Sequence, residues 1–434
     1  MEDASTGVIP LPQRKPTLRD MVSALTIRNY RIYAIAQILA LTAVWTQRVA
    51  QDWILFQLTG NVSTVGFLVV MQFGPVLLFG MLGGVIVDRY SKRTLIIISQ
   101  TVVIVSGASL AALAFTGALE AWHIFALAGL VGLFSVIDQP ARQVFVSELV
   151  GRQLLSNAVS TNSAIFQTSA LIGPAVAGLM LANWGGGWAF LVTAIGASLS
   201  LVLLFFINTA ELTKFPTAPR EKGQAREALA YVRRKPVIFW TLILLVFVSG
   251  IGMNWSVLLA PMAEHVFDSD ARGYGSYNSA IAAGALIGAI LSMRRMGVRL
   301  RTFYGSVLGY TSLKFASAFM PHEWAFMATI ALAGLWSVLM WTAANALIQT
   351  SSNMLIRGRV MSIYLLIAVG GQALGGPLLG MLVDHFGARA GLMISGAVPL
   401  TAALIIGFIV TRVHRVPMGD LLPFRYGGSS SPED

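Results

Sequence analysis

The chain has 434 residues, of which 56% are hydrophobic and 11% charged, whereas a soluble protein carries about 25% charged residues. Cysteine is absent, which excludes a disulfide framework, thiolate chemistry and cysteine-based metal sites. A formal net charge of +11 would suit nucleic acid, but the basic residues gather beside apolar runs with no stacking aromatics between them, so a nucleic-acid partner is excluded in favour of a bilayer.

Residues 1–30 lack an apolar core, so no cleavable signal peptide is expected and the first span acts as its own insertion signal. Within them Leu18, Met21, Val22 and Leu25 follow the i, i+3, i+4, i+7 spacing of an amphipathic helix. Twelve apolar runs follow, centred near residues 44, 75, 105, 131, 168, 198, 249, 285, 311, 336, 371 and 400. Each is long enough to cross a hydrocarbon core of about 30 Å at 1.5 Å per residue. With the N-terminus placed inside, 26 of the 30 Lys and Arg fall on inner segments. This asymmetry predicts both termini in the cytoplasm of a bacterial inner membrane.

Span 1 carries Arg48 and Asp52 one turn apart on one face, toward its outer end. Charged groups within a span face a cavity and pair with one another. Two readings stay open: a proton-binding Asp52 tuned by Arg48, or a structural pair that closes the outer face. Between spans 2 and 3 lies a charge-dense hairpin of Asp88, Arg89, Lys92 and Arg93, and Gly84 one turn earlier would let a neighbouring helix approach. Such a hairpin is also what an ordinary basic stop between spans looks like. Asp138 and Arg142 flank Pro140 at the inner end of span 4. Span 5 holds Ser169, Gly173, Pro174 and Gly178, and span 11 echoes it with Gly376, Pro377 and Gly380 about half a chain later. Parallel repeats of this kind surround one midplane site.

The spans divide the chain into segments 1–30, 31–209, 210–236, 237–411 and 412–434: a cytoplasmic start, a six-helix bundle, a cytoplasmic linker, a second bundle and a tail. The linker holds seven basic residues, and Ala225, Ala228, Leu229 and Val232 repeat the amphipathic spacing beside Arg226, Arg233, Arg234 and Lys235, which suits an interfacial helix. Residues 427–434 read as disordered. Lys314 falls near the middle of span 9, where a packing role is expected. Trp45, Gln72, Gln167, Asn254, Trp336, Trp341 and Gln372 lie near mid-span. They either line a cavity for an amphiphilic ligand or hydrogen-bond helix to helix, and about half are expected only to pack. The five histidines are scattered without metal-ligand spacing and no phosphate-binding loop is present. No enzyme, cofactor or metal is expected.

The hairpin resembles motif A of the major facilitator superfamily, G-x-x-x-D-R-x-G-R-K, with Ser91 in place of the second glycine and Lys92-Arg93 in place of Arg-Lys. The span 5 element resembles motif C of exporters that exchange substrate for protons, g-x-x-x-G-P-x-x-G-G, with Ser169 and Ala177 replacing two glycines. Arg48-Val-Ala-Gln-Asp52-Trp, Pro140-Ala-Arg142-Gln and Arg357-Gly-Arg359-Val resemble a bacterial branch of siderophore and drug exporters. The resemblance covers essentially the whole chain. It implies an all-α integral membrane protein with twelve transmembrane helices in two pseudo-symmetric six-helix bundles, working as a monomer. It implies an inner gate in which Lys92 or Arg93 engages Asp138, while Asp88 faces the turn near Arg359 to Ser362. The partners implied are a small-molecule substrate, protons and lipid. The same fold also allows an importer, a carrier of lipid-like substrates, or a non-transporting receptor.

Overall fold

The computed structural model describes residues 23–213, 224–293, 300–353 and 356–413. Twelve membrane-length elements follow one another. The first six are α1 (Arg28–Thr59), α2 (Val62–Arg89), α3 (Lys92–Phe115), α4 (Ala121–Gly151), α5 (Gln153–Trp184) and α6 (Gly186–Phe205). The second six are α7 (Pro236–Val266), α8 (Ala271–Met293), α9 (Leu300–Ser317), α10 (Glu323–Ser351), α11 (Arg357–Phe386) and α12 (Ala388–Val413). Among the described residues eleven of them are long and apolar enough to cross a membrane; α9, which carries Arg301 and Lys314, is the less apolar exception. It still packs as a full member of its bundle, against α10 and α12.

Because each connection reverses the chain, the two ends of the described chain lie at one face, here the terminal face. The opposite one is the far face. In the first half α1 packs on α5 and α6, α2 on α4, and α3 on α6; in the second, α8 and α9 pack on α10, and α7 on α11 and α12. Between α4 and α5 the chain turns at Gly151, whose φ of 68° is in the left-handed region that a side chain disfavours.

Two helix pairs join the halves, α2 with α11 and α5 with α8. The repeated Gly-Pro elements lie at these crossings. On α5, Gly178 faces Gly275 of α8, where an added Cβ would come within 2.9 Å of the Gly275 Cα. On α11, Gly380 faces Ser63 of α2, with the Ser63 Cα 2.7 Å from an added Cβ, and Gly376 lies against the Gly66 carbonyl. With lipid tails as apolar as leucine, helices associate through close backbone packing, and small residues permit it.

The halves meet at the far face and part toward the terminal face. One apolar cluster draws on both, with Val49, Trp53, Phe56 and Val65 against Leu258, Tyr274 and Leu379. At the terminal level the clusters stay separate: Tyr33, Phe145 and Leu204 in one half, Phe303, Met340 and Tyr364 in the other. There Leu78 and Leu82 of α2 are 73% and 59% exposed, and Leu365 and Leu366 of α11 about half exposed.

Helix α7 departs from the single continuous span the hydropathy suggests. It breaks into α-helix Pro236–Phe247, π-helix Val248–Gly252, α-helix Trp255–Pro261 and π-helix Met262–Val266. Asn254 sits at the break with φ −81° and ψ 65°. Such π-turns recur at functional sites. The linker helix forms as expected, Gln224–Arg234, with Leu229 exposed. Its Val232 is buried against the second half, however, so it docks on protein as well as facing outward. The N-terminal amphipathic stretch is described only from Ser23, where a 3-10 turn over Ser23–Thr26 packs Leu25 on the first bundle. Leu18, Met21, Val22 and the tail 427–434 lie outside the described residues.

Candidate functional site

On α1 the charged pair of the sequence does not pair. Among the described residues Arg48 forms no ion pair; its guanidinium lies 4.9 Å from the Phe73 ring and 5.6 Å from Trp45. Asp52 reaches across to the other half instead, where Tyr274 of α8 donates its hydroxyl to Oδ2 at 3.3 Å. The other oxygen, Oδ1, is buried without a hydrogen-bond partner among the described residues. Trp53 stacks on Tyr274 with ring centroids 5.4 Å apart, so Asp52 is covered by the aromatic seal of the far face. The physical reason for the separation is the environment of Arg48. Two aromatic rings give its flat cation a face to rest on, which a one-turn neighbour cannot match without leaving them.

At the terminal face the expected gate contacts also differ. Asp138 accepts from Arg142 Nε at 2.7 Å. The same guanidinium donates to Gln37 of α1 at 2.6 Å and Gln100 of α3 at 3.0 Å, so one fork ties three helices together. Lys92 pairs with Glu148 at 3.6 Å, not with Asp138. Ten residues of helix put Glu148 about 15 Å nearer the terminal face than Asp138, at the level where Lys92 begins α3. Arg93 caps the end of α6, donating to the carbonyls of Leu204 at 3.1 Å and Phe205 at 3.2 Å. Asp88 and Arg89 are exposed, and Asp88 has no hydrogen bond or ion pair among the described residues. Gly83, adjacent to Gly84, is the glycine pressed on the α4 backbone at Val136; Gly84 is half-buried.

The motif C-like residues form a packing surface between α5, α1 and α8. Ser169 donates to the Ile38 carbonyl at 3.3 Å, Gly173 lies against Trp45 and Thr42, and Thr46 donates to the Gly173 carbonyl at 3.1 Å. Pro174 places its carbonyl beside Gly275.

The seven mid-span candidates separate. Gln72 lines a small buried cavity with Gln47, Arg48, Gln51 and Ser135, about 20 Å³ in volume, room for about one water. Trp45 sets its ring edge-on to the partly exposed Phe166, 5.8 Å between centroids, and Gln167 is half-buried beside it in sequence. Asn254 donates to the Gly250 carbonyl at 2.6 Å, holding the α7 break. Trp341 meets Tyr364 of α11 edge-on at 5.9 Å, and Gln372 donates to the Ala368 carbonyl of its own helix at 3.2 Å. Trp336 is a packing residue, its ring filling the space left by Gly309 of α9. Lys314 is fully buried on α9. It donates to the Gly252 carbonyl, which also accepts from Tyr310 at 2.6 Å, and its Nζ lies 3.9 Å from the Trp255 ring. From behind the bundle it holds the break in α7.

Tyr274, Gln37, Gln100 and Glu148 enter this account from the structure. Tyr274 had one sequence signal, its place between Gly273 and Gly275 in a span; the glutamines had none beyond their polarity.

The model of the transmembrane secretion effector family matches residues 20–423. The chain is 26% identical to the multidrug efflux pump Tap of Mycolicibacterium fortuitum, over 86% of this chain and 92% of that one. It is 24% identical to the staphyloferrin A transporter of Staphylococcus aureus, over 84% and 92%. Its fold is similar to a solved bacterial homolog of the human lysosomal transporter Spinster, inward-facing and unoccupied, with a TM-score of 0.66 at 16% identity, covering 90% of this chain and 96% of that one.

Proposed function

Because this chain belongs to the transmembrane secretion effector family of the major facilitator superfamily, and is therefore a membrane transporter and not an enzyme, we propose that it exports small amphiphilic molecules in exchange for protons. The observation that carries this reading is the Asp52–Tyr274 contact. It joins a carboxylate of the first half to the second half, under the seal that closes the far face. Alternating access requires that seal to open in turn with the terminal face. When α1 and α8 separate, Asp52 passes from an aromatic cover to water, and a carboxyl that changes surroundings between the two open states is what proton exchange needs. Arg48 stays beside it on aromatic faces, close enough to act on the carboxylate through space.

The charge asymmetry supports a cytoplasmic terminal face and an inner-membrane location. On that orientation this state receives substrate from the cytoplasm between the parted halves. Trp45, Gln167, Phe166 and the residues at the α7 break offer aromatic and amide groups with few charges, which suits adaptable binding of drug- or siderophore-like molecules. The similarity to the multidrug efflux pump Tap is consistent with this direction.

The test is a substrate panel in energised inverted vesicles, with and without a protonophore. The expected result is protonophore-sensitive accumulation by wild type, and by Asp52→Asn no uphill accumulation but preserved downhill exchange. Accumulation by Asp52→Asn at the wild-type level makes Asp52 structural. Accumulation only in right-side-out vesicles makes the protein an importer.

A further inference from the structure

Helices α2 and α11 run antiparallel across the boundary between the halves, and neither start has a side-chain cap from its own N-cap residue. The N-cap of α2 is Asn61, a residue type well suited to capping, yet it makes no side-chain cap bond and donates to the Thr59 carbonyl at 2.9 Å. The free N–H groups of α2 are met from the other half. Asp384, near the end of α11, accepts from Val62 N–H at 2.6 Å through Oδ1 and from Ser63 N–H at 2.8 Å through Oδ2. By contrast α8, the counterpart of α2 in the second half, is capped by its own Asp270, which accepts from Arg272 N–H at 2.8 Å. The start of α11 has Ile356 at its N-cap and no side-chain cap. At that end of the pair α2 carries Asp88, exposed and without a partner among the described residues.

We propose that Asp384 is the gate carboxylate of the far face: it caps α2 in trans only while that face is shut, so opening the face uncaps a helix. Both oxygens and both hydrogen bonds cross the boundary, so the cap cannot survive separation of the halves. On the terminal face the corresponding contact, Asp88 at the start of α11, is the one the motif A resemblance already implies. The two carboxylates then work one at a time. This inference rests on the alternating-access reading, not on the substrate or on proton exchange.

Two pairs of cysteines, clean because the chain has none, read the two faces: Ala118 with His322 on the far face, and Gln143 with Thr350 on the terminal face. Spin-label distances in lipid nanodiscs give the ratio of far-closed to far-open molecules. Loss of an N-cap costs about 1 kcal/mol, so Asp384→Ala lowers that ratio about fivefold. Asp384→Asn, which keeps an acceptor, lowers it less, and Asp88→Asn raises it. If Asp384→Ala does not yield folded protein, Asp384→Ser carries the test, with an intermediate shift expected. An unchanged ratio in the Asp384 variants, or shifts of the same sign at Asp88 and Asp384, overturns the proposal. A wild type with a single distance at both faces under every condition overturns the alternating-access reading instead.

Discussion

Arg142 shows what one residue holds together. Its guanidinium serves Asp138, Gln37 and Gln100 from a single planar fork. Replacement by alanine leaves a largely buried carboxylate and two amides without their donor, and breaking a buried pair in this way costs about 3 kcal/mol or more. Arg142→Ala is therefore expected to lower thermal stability in detergent markedly. Arg142→Lys should recover only part of the loss, because an ammonium cannot bridge three helices in the plane of a fork. Equal melting temperatures for the three proteins would remove Arg142 from the set of structural anchors. The one-turn spacing of Asp138 and Arg142 was legible in the sequence, but the resemblance assigned Asp138 to Lys92 or Arg93, and the pair with Arg142 came from the structure. The amides were not, because nothing local marks two glutamines on other helices as aimed at one point. Asp52 illustrates the same boundary: its place on α1 was readable, while its partner Tyr274 is 222 residues away and the nearer cation is occupied by aromatic rings.

Among the elements, the spans were legible because every residue in lipid must satisfy its backbone internally, which makes each crossing a long apolar run. The Gly-Pro echo correctly marked two corresponding helices, and the structure supplies what each touches. The break in α7 was not legible. Gly250, Gly252, Asn254 and Pro261 punctuate that span, but glycine and proline are common in membrane helices. The gate contacts implied by motif A are not made with the terminal face parted, where Lys92 pairs with Glu148. The crossings make a sharp prediction. A Cβ on Gly275 would lie 2.7 Å from the Gly178 Cα and 2.9 Å from the Pro174 carbonyl oxygen. Gly275→Val is thus expected to keep α5 and α8 apart at the far face. Cysteines replacing Asn183 and Arg272, whose side chains meet at 2.5 Å, should cross-link several-fold less in that background than with glycine. Undiminished cross-linking would mean that this close approach does not set the closure.

For the whole molecule, closure of the far face is a matter of shape and of hydrogen bonds between unlike kinds of group. Across the boundary Gln57 meets Glu264, Tyr274 meets Asp52, Arg272 meets Asn183, and Asp384 meets two backbone N–H groups. In each, an ionisable side chain faces a neutral one. The ion pairs found among the described residues, Lys92 with Glu148 and Arg142 with Asp138, both lie inside the first half. Added salt screens attraction between separated charges, its reach falling from about 10 Å at 0.1 M to about 3 Å at 1 M. It acts much less on a direct hydrogen bond or on glycine-to-glycine packing. The far-closed to far-open ratio should therefore change less than about twofold over that range, as read by the same spin labels, and a steep fall would show that long-range charge closes the gate. On the proposed orientation the far face meets the surroundings of the cell. Its seal is then built from contacts indifferent to the brine outside, so a change from fresh to saline surroundings leaves the same door shut.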